Sequence, residues 1–270
     1  MAAFVRPPAV AGRFYPGESE VLRAEVDSYL HSSTKRTSAL GCIVPHAGYM
    51  YSGHVAGAVY SELDLPSRCI LMCPNHTGRG EALSIMSDGT WETPLGNVHI
   101  DSDLANSLKQ KFPFLTEDVE AHRMEHAAEV QLPFLQIHKP NLTFVPITLG
   151  TAQFEILQAL GIAIAEVVAH AVGPALIIAS SDMNHYENDS VTRIKDGKAI
   201  DQILTLNPRG LFDVVIKERI TMCGFGPSVA MLTAVKQLGA ERARLVKYAT
   251  SGDVSGDRNM VVGYAGIVIT

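Results

Sequence analysis

The chain has no basic cluster. Its 22 lysines and arginines are outnumbered by 28 aspartates and glutamates, for a formal net charge of −6. Nucleic acids and anionic membranes are gripped by Lys and Arg against phosphate, so neither is an expected partner. There is also no uninterrupted apolar run. The longest, Ala159 to Ala179, contains Glu166, His170, Gly173 and Pro174, whereas a membrane span needs about 20 predominantly apolar residues. Met1 to Pro8 shows no long apolar stretch after its first charge, so no signal peptide is expected and the default compartment is the cytoplasm. Internal repeats and low-complexity segments are missing too. Cysteine is scarce, with four in 270 residues. Cys69 and Cys73 share one strand-like run, which at ~3.3 Å per residue sets them about 13 Å apart, too far for a disulfide or a shared ion. Cys42 sits inside another apolar run. These three read as buried apolar thiols; Cys223 does not.

What is present is a globular composition, 47% hydrophobic and 19% charged, able to bury a sizeable core. Residues 1–20, with Pro7, Pro8, Gly12, Pro16 and Gly17, read as an extended arm packed across a single domain of residues 1–270, with Arg13, Phe14 and Tyr15 as anchors. A helix is expected over 18–31 and a polar connection over 34–38. The apolar run Leu40 to Val44 then enters Pro45-His46-Ala47-Gly48-Tyr49, followed by a helical pattern that Ser52 is placed to cap. The run 68–73 leaves through Pro74-Asn75-His76. This strand–helix–strand order predicts two adjacent parallel strands joined by a right-handed crossover, with His46 and His76 at the same sheet edge.

Further along, the sequence predicts an excursion over 83–100, a helix 102–111 capped by Asp101, and a helical stretch 122–138 broken or kinked at Pro133. A strand follows over 142–149, with an irregularity or an edge at Pro146. Next come a helix 152–171, a strand 175–179 ending in Ser180-Ser181-Asp182-Met183-Asn184-His185, and helices over 190–206 and 208–219. Cys223-Gly224 precedes a helix 227–238. Two last strands, 244–250 and 260–269, flank a turn-rich loop, 251–257. The alternation predicts an α/β fold, an α/β/α sandwich around a largely parallel or mixed sheet.

Ligand sites in such sheets lie outside the strands' carboxyl ends. Two neutral imidazoles, His46 and His76, and the Cys223 thiolate make a three-ligand metal set with an open position. Asp182 is suited to orient a ligating histidine through its second nitrogen, or to act with His185 as an acid/base pair. His122-Arg123-Met124-Glu125-His126 also fits the His-x-x-Glu-His zinc peptidase pattern. His126 with Glu129 is a further candidate, as a buried polar pair facing the main site.

Several stretches together resemble one family: Arg6 to Pro16, Pro45 to Tyr49, Pro74-Asn75-His76, Thr93 to Gly96, Glu125 to Leu135, Ser181 to Tyr186, Cys223-Gly224 and Ser251-Gly252-Asp253. The chain is similar along nearly its whole length to the Memo family, the B protein of the AmmeMemoRadiSam gene group. That resemblance implies a fold like the class III extradiol dioxygenases, non-haem iron enzymes. By it, His46 and His76 match the metal histidines, His185 the acid/base histidine, and Asp182 part of the pocket. Cys223 falls where those dioxygenases carry a glutamate. The implied cofactor is a redox or divalent metal, Fe(II) or copper, with zinc also compatible. One expected role is a metal-dependent redox enzyme or oxygenase. Another is a metal- or peptide-binding module acting with radical-SAM and AMMECR-type proteins. The zinc peptidase at His122 and His126 is the third.

Overall fold

The computed structural model describes residues 4–30 and 36–270. Residues 1–3 of the arm, His31 and residues 34–35 of the polar connection lie outside the described residues. The arm opens with strand β1 (Val5–Arg6) and leads to helix α1 (Ser19–Tyr29). Strand β2 (Gly41–Val44), helix α2 (Tyr49–Glu62) and strand β3 (Arg68–Pro74) follow at the predicted positions. The excursion is a short strand, β4 (Leu83–Ile85), and a hairpin of β5 (Thr90–Thr93) and β6 (Gly96–Ile100). Asp101 caps α3 (Ser102–Lys111), accepting from the Leu104 N–H. Then come β7 (Thr116–Glu117), α4 (Glu120–Arg123), α5 (Leu132–His138), β8 (Thr143–Leu149), α6 (Phe154–His170) and β9 (Leu176–Ser180). The chain ends with β10 (His185–Glu187), α7 (Asp189–Leu204), α8 (Pro208–Lys217), α9 (Phe225–Gln237), β11 (Ala243–Thr250), α10 (Ser251–Ser255) and β12 (Val261–Ile269).

Among the described residues the strands form one twelve-stranded mixed sheet, with a main path β1-β5-β6-β8-β3-β9-β2-β12-β10. Its centre, β6-β8-β3-β9-β2, is parallel, and β12 joins β2 antiparallel. Because side chains alternate along a strand, β2 and β3 feed two separate cores. Ile43, Ile70 and Met72 pack with α3, α6, α8 and α9 on one face. Cys42, Val44, Cys69 and Leu71 pack with α1, α2 and α5 on the other. Helices thus cover both faces, as in an α/β/α sandwich. None of the described helices is long and apolar enough to cross a membrane.

Several local expectations are corrected. β2 and β3 are not neighbours, because β9 pairs with both and lies between them. The two strands are parallel within one sheet as expected, but a later strand takes the place between them. The first core helix is not capped by Ser52. It starts at Tyr49 with Gly48 at the N-cap, and Ser52 donates to the Ala47 carbonyl from within the first turn. The break near Pro133 falls earlier, over 124–128, and Pro133 occupies the first turn of α5, where its missing N–H leaves no intrahelical bond unmade. Pro146 sits in an interior strand. On one flank β8 pairs with β6 at Thr143–Phe144 and with β4 at Ile147–Leu149, so Pro146 falls in the gap between two neighbours. The turn-rich loop after β11 is a one-turn helix, α10, held by a capping box between Thr250 and Asp253. In the arm Arg13 is exposed; the buried anchors are Arg6 and Tyr15, both bonded to the fully buried Glu129.

Candidate metal centre

Three parallel strands, β3, β9 and β2, end at one edge of the sheet. Each carboxyl end carries polar residues: His76 after β3, Ser181 and Asp182 after β9, His46 after β2. β9 is the middle strand, so the two histidines stand two strand spacings apart, about 10 Å at their backbones. Their side chains close that gap over the end of β9. The ring centroids are 5.1 Å apart, edge to face at 77°. Cys223 arrives from the other side, on the turn before α9, and its Sγ lies 3.1 Å from His46 Nε2. The ligand atoms of His46, His76 and Cys223 all lie within 4.8 Å of one another.

The hydrogen bonds fix which nitrogen each histidine offers. The Ser180 hydroxyl donates its one proton to the Ala127 carbonyl and accepts from Gln131 Nε2. His46 Nδ1, 3.0 Å from the same oxygen, is therefore also a donor. His76 Nδ1 is 2.9 Å from Glu125 Oε1, and an ionised carboxylate only accepts. His185 Nδ1 is 2.9 Å from the Thr221 carbonyl, again an acceptor only. In all three rings the proton sits on Nδ1 and the lone pair on Nε2. That is the form in which imidazole ligates a metal or takes up a proton.

Burial sets the charges. His46 is pushed well below the ordinary histidine range by burial and by the neighbouring histidines, so it stays neutral. For His76 burial pulls the pKa down, but the Glu125 hydrogen bond and charge outweigh it and the net shift is upward. Burial and the nearby Asp182 carboxyl hold the Cys223 thiol well above its usual range. Without an ion it stays protonated, so metal binding must release a proton. Burial likewise raises Asp182, to about 6, against the His46 backbone N–H that donates to it.

Asp182 thus anchors the His46 backbone; it does not orient a ligating ring as expected. Those partners are Ser180 for His46 and Glu125 for His76, neither of which the sequence reading singled out for the task. Glu129 does not face the site with His126. It accepts from Arg6, Tyr15 and the backbone of Ala9 and Val10, fastening the arm. His126 does reach the cavity, stacked on His76 at 4.7 Å and 19° and touching Phe14 of the arm.

The residues His76, Glu125 and His126 form a second group of potential ligands within 4.8 Å. Stacked, near-parallel rings cannot aim their in-plane lone pairs at one ion, whereas the crossed rings of His46 and His76 can. The His46–His76–Cys223 set therefore fits an ion, with three donors and an open side. The peptidase pair does not come together. His122 is fully buried, bonded through Nδ1 to Thr148 and packed edge-on against Trp91, and its Nε2 has no hydrogen-bond partner among the described residues. Among the described residues no candidate metal group contains His122. Only the Glu and the second His of that pattern are at the site.

The open side is a cavity of about 570 Å³ walled by Phe14, His126, His185, Tyr186 and Val262. Among the described residues no lysine or arginine lines it. Tyr186, at its mouth, is exposed and holds a φ of 59°, a left-handed conformation uncommon for a bulky residue.

A family model described as Memo-like protein matches residues 6–268. The chain belongs to the Memo family. A MEMO1 family protein of Methanopyrus kandleri is 41% identical over 277 residues, covering 97% of this chain and 98% of the relative. A second, from Methanosarcina mazei, is 42% identical over 267 residues, covering 98% and 99%. The crystal structure of an uncharacterized protein, JW3007, from Escherichia coli K12 superposes with a TM-score of 0.53, over 83% of this chain and 98% of that one. At 14% identity that likeness concerns the fold alone. Membership of the Memo family brings the fold and the relatives together; the relatives' descriptions name no ligand and no reaction.

Proposed function

We propose that this Memo-family protein holds one transition-metal ion on His46, His76 and Cys223 and acts as a metal-dependent redox protein, of oxygenase type in its most specific form. One observation carries the reading: three donors from three separate chain segments lie within 4.8 Å, and both histidines have Nδ1 engaged elsewhere, leaving Nε2 for the ion. When bound, the ion supplies Lewis acidity and a redox couple at the cavity floor. The thiolate is a softer donor than a carboxylate and moves preference from iron toward copper or zinc. Iron(II) and copper remain the redox-competent choices.

The protein's own groups do the rest. His185 lines the cavity with its lone pair on Nε2, and Thr221 fixes the residue by accepting twice, its carbonyl from Nδ1 and its hydroxyl from the His185 backbone N–H. It is the group placed to take a proton from a bound small molecule. Asp182 holds the backbone that carries His46 and so fixes that ligand's position. Phe14 and Val262 supply apolar wall against which a small oxygenated or aromatic ligand packs.

The test is elemental analysis of anaerobically purified protein, wild type beside His46→Ala. Near-stoichiometric iron or copper, lost in the variant, is the expected result and leads directly to oxygen-uptake assays. Metal in neither protein, with failed reconstitution, overturns the proposal. It transfers the weight to a peptide-binding module acting with radical-SAM and AMMECR-type partners.

A further inference from the structure

We infer that Glu125 is a positioning residue for the metal centre: it dictates which nitrogen of His76 faces the cavity and so sets how tightly the ion is held. The inference rests on the metal reading above and deepens it, giving the carboxylate that engages His76 Nδ1 a measurable part in holding the ion.

Glu125 is fully buried, and among the described residues its carboxylate accepts three hydrogen bonds, with His126 Nδ1 a more distant 3.5 Å from Oε1. Oε2 accepts from the His76 backbone N–H at 2.6 Å. Oε1 accepts from His76 Nδ1 and from the Ala127 N–H, each at 2.9 Å. One carboxylate therefore grips His76 at two points, backbone and ring, which fixes both position and rotation. It also excludes the other tautomer, because a lone pair on Nδ1 would face a carboxylate oxygen. A histidine whose far nitrogen donates to a carboxylate is a more basic, better aimed ligand, and losing such a partner typically costs 10–100-fold in metal affinity.

An amide cannot do the same work. Three donors face two oxygens, so in Glu125→Gln the new NH₂ must point at an N–H. The Glu125 backbone is in turn held by the arm. Arg6, in the arm, donates from Nη2 to the Glu125 carbonyl and from Nε to the His122 carbonyl. The Arg6 Nη1 is paired with Glu129 at 2.7 Å, with both side chains essentially inaccessible. A run of contacts thus links arm, Arg6, Glu125 and His76. The loop over 124–128 carries the Glu125 carboxylate to His76 at the end of β3.

The experiment has two readouts on the full chain. The first is the side-chain nitrogen NMR of histidine-labelled, metal-free protein. His76 is expected as the Nδ1–H form in the wild type and as a mixture or the Nε2–H form in Glu125→Gln. The second is Co(II) affinity, measured by competition with a chromophoric chelator for wild type, His46→Ala and Glu125→Gln. The expected result is a 10–100-fold loss in Glu125→Gln, with a changed Co(II) absorption spectrum. A wild-type His76 protonated on Nε2 overturns the inference without any variant, so a Glu125→Gln that does not fold leaves it testable. Affinity in Glu125→Gln within about threefold of wild type overturns it too. If His46→Ala binds Co(II) like the wild type, the metal reading itself fails, a result distinct from either of these.

Discussion

At the residue scale, the Ser180 hydroxyl is the smallest group with the largest reach. It donates to Ala127 and accepts from both Gln131 and His46, so one oxygen settles the protonation of the ring nearest Cys223. In Ser180→Ala the Gln131 and His46 donors and the Ala127 acceptor are left in a buried place, each costing about 1–3 kcal/mol if nothing else reaches it. We expect a lowered melting temperature and a weaker metal complex, measured by thermal unfolding with and without Zn(II). A variant that melts and binds like the wild type would show that His46 needs no such partner. The residue scale is also where the sequence was least legible. His46, His76, Asp182 and His185 stand out because histidines and acids follow apolar runs, and Cys223 because it lies just before a helix amino terminus. Ser180 and Gln131 carry no such mark, because a hydroxyl or amide becomes significant only through what it faces.

At the scale of elements, the site depends on how closely α9 approaches the end of β9. Gly224, at the N-cap of α9, has its N–H on the Ser181 hydroxyl at 3.0 Å. A Cβ added there would sit 2.3 Å from the Ser180 carbonyl oxygen, a backbone atom that cannot simply swing aside. Gly224→Ala must push the start of the helix, and Cys223 with it, away from His46. We expect destabilisation of about 1–3 kcal/mol, the usual cost of overpacking, together with loss of the short His46–Cys223 contact. Denaturant unfolding gives the first and metal affinity the second; unchanged values in both would mean the helix can retreat freely. The elements themselves were largely readable, because apolar runs and helical periodicity report burial locally. Their lateral order was not. The sequence set β2 beside β3, but β9, more than a hundred residues later, lies between them, and nothing local to β2 or β3 signals that.

At the scale of the whole molecule, buried ionisable groups couple folding to pH in opposite directions. Burial lowers His122 to about 3 and His126 to about 4. Below about pH 6.5 the unfolded chain gains protons at these histidines that the folded chain refuses, so stability falls as pH falls. Asp196 is the reverse. It is fully inaccessible, and burial raises it to about 7 despite hydrogen bonds from Tyr248 and the Asn184 N–H. Between its ordinary value near 4 and about 7 the folded state holds the extra proton, so this group's contribution falls as pH rises. Asp196→Asn removes that term. Across about pH 4.5–6.5 the slope of stability against pH should therefore become more positive than in the wild type by about 1.4 kcal/mol per unit. Parallel urea titrations of the two proteins test this, and identical slopes would refute it.

The sequence alone determined the family, through the stretches that carry the resemblance, and also the α/β/α layering and the set of polar side chains at strand ends, which follow from local order and the burial it implies. Only the tertiary structure decided which of those side chains meet. It turned His122 inward onto Thr148 and Trp91, gave Glu129 to the arm and Glu125 to His76, and used Ser180 to fix His46. The physical reason is that a hydrogen bond between residues 49 to 134 positions apart depends on strand order and on loop path, neither of which the separate segments specify.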